Sequence, residues 1–421
     1  MNRQKLVRFP FWQELLILLS GMLTVMAGSA ISPAIKSMAE FFVDVPNIDL
    51  LARLVLTVTS VAVAIGSPIT GFLIDKFGRK KILIISTIVY ILAGTSGFYL
   101  RNIYAIIVGR IFFGLAVSGM MTSTTALIAD HYNGEKRNRV MGFQSTFKSF
   151  GGAIFVVIGG ALASIDWNFS FLVYLFALIV LPGIIFFIVE IYQEEEEEEQ
   201  DEVETENSKE QKSELINNGL GDVFPYKVGL ISCLLIFIIM VIFYFIAPNF
   251  SFYLSNFAVE NEVLIGLAIA TSSITAGIIS LFYKFLKKNL SFELIFIIAL
   301  ILLGSGYVGI SLAPNFYLVV LGSAIMGLGW GMFMPNISTW LLEFTPIKLR
   351  GRILGIYGTM LYLGQFISPI IGQPIINAYN LSTLYLIGAI VLYLLLLVPI
   401  ILLIEKKVNP SPKIVKELDQ E

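Results

Sequence analysis

The stretch GFLIDKFGRKK, residues 71–81, concentrates charge in a chain in which only 14% of the residues are charged. It places one carboxylate among four cations: Asp75, Lys76, Arg79, Lys80 and Lys81. Such groups can form ion pairs, but they make no acid–base or metal centre without a histidine, a cysteine or a second acid nearby. No cluster of His, Cys and carboxylate residues in the sequence has metal-ligand spacing, and Lys80 does not lie in a phosphate-binding loop. We therefore expect no enzyme activity and no cofactor.

The elements around this stretch are long and apolar. Hydrophobic residues make up 57% of the 421 residues, and the mean hydropathy of +0.83 is too high for a water-soluble globule. A hydrocarbon core of about 30 Å needs roughly 20 apolar residues per helix. Twelve runs are long enough: 12–34, 51–73, 82–100, 103–127, 139–163, 169–189, 227–252, 263–283, 291–311, 315–340, 352–376 and 382–404. Because the alternating pattern of a membrane β-barrel is absent, the sequence predicts an all-α membrane protein with twelve transmembrane helices.

Lysine and arginine fall on alternate connections between these runs. They cluster near residues 3–8, 76–81, 136–139, 284–288, 348–352 and 406–416. The connections and helix ends on the other side of the membrane hold only Lys36, Arg53 and Arg101. The positive-inside rule therefore predicts a multi-pass protein of the plasma membrane with both termini in the cytoplasm. Residues 71–81 then form the cytoplasmic turn between helices 2 and 3.

An acidic segment divides the chain. It contains six consecutive glutamates, Glu194 to Glu199, and such a run of like charge stays solvated. A tether between two bundles is the simpler interpretation, and a binding segment for an ion or a basic partner is the alternative. The predicted domains are an N-terminal bundle of six helices, an acidic linker, a C-terminal bundle of six helices and a tail: 1–189, 190–226, 227–404 and 405–421.

The two halves repeat each other. A shift of 208 residues sets the cations of the first half against those of the second: Lys76, Arg79 and Lys80 against Lys284, Lys287 and Lys288. Since each half has an even number of helices, both enter the membrane from the same side, and the repeat is parallel about the membrane normal. Parallel six-helix halves are typical of transporters.

These residues resemble the major facilitator superfamily over almost the whole chain, and in particular its twelve-helix exporters of drugs and metabolites. The family's signature between helices 2 and 3, G-x-L-x-D-R-x-G-R-K, is matched at nearly every fixed position of the stretch 71–81. Its helix 4 signature is matched by Arg110, Gly114 and Gly119. The resemblance implies two pseudo-symmetric bundles that transport by alternating access. In the second half Tyr283 stands where the acid of the signature should be, so we expect no second copy of its contact.

The resemblance also gives the loop a role. In this family the acid of the signature meets the start of helix 11, so Asp75 is expected to latch onto residues 351–353, where free N–H groups and the helix dipole favour an anion. Arg79 is expected to pair with Asp130 at the end of helix 4. The latch would hold the cytoplasmic mouth closed and stabilise the outward-open state. The residues expected to form the latch also include Lys80 and two glycines, Gly71 and Gly78, which permit a close approach and unusual backbone angles in the turn.

Polar side chains inside the predicted helices are candidates for the transport path, because ionisable groups in a membrane are costly. Arg110 lies roughly 10 Å from the start of helix 4, and Lys148 lies roughly 14 Å from the start of helix 5. Gln144 precedes Lys148 by one turn on the same face. Uncharged candidates in helices 7, 10 and 11 are Asn249, Tyr253, Trp330, Asn336 and Gln365. For each of them ordinary helix packing is the alternative.

The charge on this path bears on the substrate. Cation exporters of the family commonly bury an acid in helix 1 or helix 7, whereas Glu14, Glu40 and Asp44 lie at helix edges here. Two deep cations favour an anionic or zwitterionic substrate, or Lys148 could itself carry protons. Helix 5 lacks the Gly-Pro pair of the family's antiporter signature, with Phe155 and Val156 in its place, which weakens an assignment to proton antiport.

The sequence thus predicts a secondary active transporter that moves a small or amphipathic solute, with efflux favoured by the resemblance and H⁺ as the candidate coupling ion. Two alternatives stay open. One is an importer or exchanger of organic anions that uses Arg110 and Lys148, and the other is a membrane scaffold or receptor that transports nothing. We expect a monomer in the lipid bilayer, without a nucleic-acid partner.

Overall fold

The computed structural model describes residues 10–132, 134–190, 223–345 and 347–408, and this part of the chain is helical without any strand. The first half contains six long helices: α1 (Pro10–Ser29), α2 (Ile48–Phe77), α3 (Arg79–Gly94), α4 (Ile103–His131), α5 (Gly134–Ala163) and α6, which runs as a 3₁₀ segment (Trp167–Phe176) into an α-helix (Ala177–Phe187).

The second half repeats this plan. Its helices are α7 (Val223–Phe243), α8 (Glu262–Leu281), α9 (Phe292–Ser311), α10 (Phe316–Phe344), α11 (Ile347–Ala378) and α12 (Leu381–Leu394, continued by Leu397–Val408). Eleven spans of the described chain are long and apolar enough to cross a membrane, and α7 adds the shorter apolar segment Gly229–Phe243. The prediction of an all-α membrane protein with twelve helices is confirmed.

Two of the predicted helices are interrupted at prolines. The run predicted at 12–34 ends as an α-helix at Ser29, continues as a 3₁₀ turn at Ser32–Ala34 and resumes at Ile35–Phe41. The run predicted at 227–252 ends at Phe243 and resumes as a short helix only at Phe250–Ser255, just after Pro248 in the sequence. Proline lacks the N–H that an α-helix interior needs, so these positions favour a break.

Asparagine side chains fix where several helices begin. The Oδ1 atom of Asn102 accepts from the backbone N–H groups of Tyr104 (2.9 Å) and Ala105 (3.2 Å) at the start of α4. Three more asparagines cap α8, α10 and α12 in the same manner: Asn261, Asn315 and Asn380. Each cap satisfies N–H groups that have no partner within the helix, and caps of this kind contribute about 1 kcal/mol.

The helices form two bundles with separate apolar cores. The buried residues of the first core run from Leu16 to Ile188, and those of the second run from Cys233 to Leu392. Large apolar side chains also cover the outer surface, as at Phe186 (79% exposed) and Tyr317 (81% exposed), which suits contact with lipid. Residues 191–222, the bulk of the predicted linker, lie outside the described chain, so the domain boundaries stay predictions.

Among the described residues, the long helices α2 and α11 and the long helices α5 and α8 make most of the contact between the bundles, and the short segments Ser32–Ala34, Ile35–Phe41 and Phe250–Ser255 add to it. We call the end of the protein that holds residues 71–81 and Tyr283–Asn289 the basic face. The end that holds Ile35–Phe41 and Phe250–Ser255 is the opposite face.

Candidate functional site

The predicted ion pair at the basic face is present. Gly78 separates α2 from α3 with a φ of +92°, a backbone conformation that glycine adopts at no steric cost. Since α3 begins at the next residue, Arg79 is held beside the end of α4, and its Nε atom lies 2.9 Å from Oδ2 of Asp130. The role of this pair in a latch stays a prediction.

Glu190 is a part of this site that the sequence did not reveal. Its Oε1 atom accepts from the backbone N–H of Arg79 (2.5 Å) and its Oε2 atom accepts from that of Lys80 (2.7 Å). A carboxylate at a helix N-terminus satisfies free N–H groups and complements the helix dipole. The sequence holds one signal: α3 follows a glycine, which has no side chain with which to cap it.

The other half of the predicted latch involves Asp75 and Gly71. The Asp75 side chain is exposed, and a Cβ atom added at Gly71 would meet nothing within 4 Å. The predicted partners begin at residues 351 and 352, whose side chains lie outside the described part of the chain. The latch of Asp75 onto α11 therefore stays a prediction.

We expect Gly78→Ala to destabilise the protein, and Gly71→Ala to leave its stability unchanged. A Cβ at residue 78 would lie 2.8 Å from Oε1 of Glu190. The native backbone would also require alanine to adopt a positive φ, and this conformation alone costs an alanine about 1–2 kcal/mol. Thermal unfolding of the purified variants in detergent measures both. Equal unfolding temperatures for the two variants would contradict the assigned backbone conformation.

The second bundle replaces this ion pair with a neutral contact. The hydroxyl of Tyr283, just after α8, donates to Oδ1 of Asn336 on α10 (3.1 Å), and Nδ2 of Asn336 donates to the carbonyl of Phe292 (3.0 Å). Burial raises the pKa of Tyr283, so the phenol remains a donor. Asn336 is fully buried, and the structure places this predicted path residue in a packing contact within the bundle.

Arg110 lies in an aromatic cage inside the first bundle. Its side chain is fully buried, and its guanidinium carbon lies 4.9 Å, 4.5 Å and 5.0 Å from the ring centres of Phe113, Phe171 and Tyr174. Nη1 donates to the Tyr174 hydroxyl (3.2 Å), while Nε and Nη2 have no hydrogen-bond partner among the described residues. The predicted path residue is thus enclosed by its own bundle, and its charge is met by ring faces.

Several other candidates lie near the middle of their helices. Lys148 is half-buried, and Gln144, one turn before it, lies against Gly21 of α1. Trp330 is half-buried and stacks on Phe243 with ring centres 3.9 Å apart.

Gln365 joins the two bundles at this depth, since its Oε1 atom accepts from the Ser60 hydroxyl at 2.6 Å. A cation, an amide and stacked aromatic rings thus lie at a similar depth along helices of the two bundles.

The remaining two candidates lie toward the opposite face. The Tyr253 hydroxyl donates to the carbonyl of Ile310 (2.5 Å) within the second bundle. Asn249 accepts a hydrogen bond from Nε of Arg53 on α2 (2.5 Å), and Arg53 also binds Gln373 on α11. Sequence reasoning treated Arg53 only as an outer cation, because the predicted apolar run begins at residue 51, whereas α2 begins at Ile48 and places Arg53 more than one turn inside the helix.

The polar contacts between the bundles show which mouth is closed. At the opposite face Ser37 donates to Glu262 (2.9 Å), Lys36 lies 4.0 Å from Glu260, and Ser32 donates to the carbonyl of Ala247. Counted from the opposite face, the farthest polar contacts between the described residues of the two bundles lie in the middle of the protein. They join Ser60 with Gln365, and Tyr362 with the sulfur of Met121 (3.1 Å). This conformation is therefore closed at the opposite face.

Comparisons with known proteins agree with this geometry. The family model described as Major Facilitator Superfamily matches residues 17–261 and 233–420. The chain is 24% identical over 340 residues to the bacillibactin exporter of Bacillus subtilis, covering 78% of this chain and 81% of that protein. It is 23% identical over 372 residues to the multi-drug resistance efflux pump PmrA of Streptococcus pneumoniae, covering 86% and 89%.

Solved structures show the same fold. An inward open conformation of the xylose transporter XylE from E. coli superposes with a TM-score of 0.69 at 16% identity, covering 90% of this chain and 95% of that chain. The family match spans both halves of the chain, and the first bundle carries the family's loop signature at the basic face. The protein belongs to the Major Facilitator Superfamily of membrane transporters.

Proposed function

We propose that this transporter exports small or amphipathic solutes that carry negative charge, by secondary active transport with alternating access. The efflux direction rests on relatives named as exporters and efflux pumps. The charge of the solute rests on Lys148, a half-buried cation near the middle of α5 that has no ion-pair partner among the described residues. A cation that is half-withdrawn from water and unpaired attracts an anion more strongly than an exposed one does.

The proposal includes an orientation. The basic face carries the clusters of lysine and arginine, so the positive-inside rule supports a cytoplasmic position for this face and for both termini in a plasma membrane. In that orientation the conformation described above is closed to the outside. A solute would enter from the cytoplasm, bind near Lys148 and Trp330, and leave after the bundles rock about their contact.

We expect Lys148→Gln to lower the transport of anionic aromatic solutes at least tenfold while leaving that of neutral analogues unchanged. The amide keeps much of the length of the side chain and removes only its charge, and tenfold corresponds to about 1.4 kcal/mol. Uptake into inside-out vesicles loaded with the purified protein measures the rate. Lys284→Gln, an exposed lysine at the basic face, is the matched control. Equal losses for charged and neutral solutes would argue against an anionic substrate.

The same vesicles test the coupling ion and the direction. We propose exchange with H⁺, which predicts that an imposed pH gradient drives solute accumulation and that solute addition moves protons. The second candidate function is an importer or exchanger of organic anions, which the unpaired Lys148 favours equally. Accumulation in right-side-out vesicles, with none in inside-out vesicles, would select it.

A further inference from the structure

Among the described residues, Arg53 is the side chain that makes the most hydrogen bonds from one bundle to the other. It lies on α2 and is only 2% exposed. Its Nε atom donates to Oδ1 of Asn249 (2.5 Å), in the turn after α7, and its Nη1 atom donates to Oε1 of Gln373 on α11 (2.6 Å). A further bond from Nη1 reaches the carbonyl of Asp49 on its own helix (2.8 Å), and the guanidinium carbon lies 4.4 Å from the ring centre of Phe252. One side chain of the first bundle thus holds two separate elements of the second.

The two amides are held in the orientation that this contact needs. Nδ2 of Asn249 donates to the carbonyl of Phe245 (2.8 Å), and Nε2 of Gln373 donates to Oδ1 of Asn377 (2.8 Å). With the NH₂ groups engaged, both amide oxygens are left to face the guanidinium. Only arginine can serve two such acceptors at once from fixed positions on one planar group.

The transport cycle can break this interaction without leaving a buried carboxylate. The guanidinium donates its hydrogen bonds to neutral amide oxygens, whereas the loss of a buried ion pair would leave an unpaired charge on the acceptor. Hydrogen bonds to a charged donor are stronger than those between neutral groups, so two of them can bias which mouth is closed without locking it. Both acceptors belong to the second bundle, so the contact cannot survive a separation of the bundles at the opposite face.

We propose that a clasp of three residues closes the opposite mouth, and that each transport cycle must break this clasp and form it again. The Arg53 clasp consists of Arg53, Asn249 and Gln373. Arg53 is thus a positioning residue for transport that acts on the equilibrium between the two mouths. In the open state its guanidinium loses both amide acceptors and faces the water of the mouth.

The test measures the opposite mouth directly, without any solute, so its result is independent of which substrate the protein carries. Spin labels go on Asp44 and Asn256, exposed residues of the first and second bundle near this face, in a Cys233→Ser background that removes the single native cysteine. Electron–electron distance distributions are recorded for the full chain in lipid nanodiscs. We expect Arg53→Gln to raise the ratio of open to closed populations about tenfold and to lengthen the main distance.

Arg101→Gln is the matched control, because Arg101 lies at the same face but is exposed. Among the described residues, its guanidinium lies over two rings of its own bundle, Phe41 and Trp167. It should leave the distribution unchanged. Asn249→Ala with Gln373→Ala tests the same clasp with the arginine intact, should Arg53→Gln fail to fold. Wild-type distances in Arg53→Gln, or in this double variant, would overturn the proposal, as would equal opening in Arg101→Gln.

Discussion

Arg110→Met is expected to abolish transport while leaving the unfolding temperature unchanged or higher. The guanidinium is fully buried among three aromatic rings, and two of its nitrogen atoms have no acceptor among the described residues. Such groups cost about 1–3 kcal/mol each in stability, and an apolar side chain of similar length removes that cost. The ring faces offset only part of the cost of burying this charge, and an ionisable group inside a membrane span indicates a functional residue.

Flux into vesicles and thermal unfolding in detergent separate the two effects. Arg101→Met serves as the control, since that arginine is exposed and should tolerate the change in both measurements. If Arg110→Met unfolds at a much lower temperature than the wild type, the cage is a structural element and the functional interpretation fails. If it folds and transports normally, Arg110 has no part in the cycle.

Gly160→Ala is expected to reduce transport at least tenfold by keeping the opposite mouth from closing. Gly160 lies near the end of α5, and a Cβ added there would overlap the backbone carbonyl of Glu262 at the start of α8. Backbone atoms cannot move aside as a flexible side chain can, so the two bundles would have to separate at this face. The spin-label pair at Asp44 and Asn256 should report longer distances for this variant.

Gly142→Ala provides the comparison within the same helix. A Cβ at residue 142 would meet nothing within 4 Å, and alanine is a better helix former than glycine. We therefore expect wild-type distances and wild-type flux. Closure of the opposite mouth in Gly160→Ala, at wild-type distances, would show that the approach of α5 to α8 is not required for it.

The fold could be predicted from the sequence because a membrane restricts the possibilities. Apolar runs of fixed length must be helices, and the loop signature at residues 71–81 narrows the family further. The breaks at residues 29–35 and 243–250 could be placed less well, because proline also lies inside continuous helices here, as at Pro68 and Pro335. Which prolines interrupt a helix depends on what their neighbours can satisfy.

The candidate site was predictable where the resemblance to a known family implies the contact, as for Arg79 and Asp130. It was not predictable where the partners come from distant helices. Arg53 and Gln373 are 320 residues apart in the chain and meet only because the bundles meet. Arg110 illustrates a different limit: depth in a helix indicates that a charge is buried, but not whether it faces water or aromatic rings.

The two loops at the basic face should respond differently to a change in ionic strength. The first bundle fastens its loop with a charged pair, Arg79 and Asp130, whereas the second uses the neutral pair Tyr283 and Asn336. Dissolved salt screens the attraction between partly exposed charges over about 8–10 Å and leaves a neutral hydrogen bond almost untouched. Rising salt should therefore loosen the loop of the first bundle before that of the second, so that two halves with the same helix plan respond differently to the same solution.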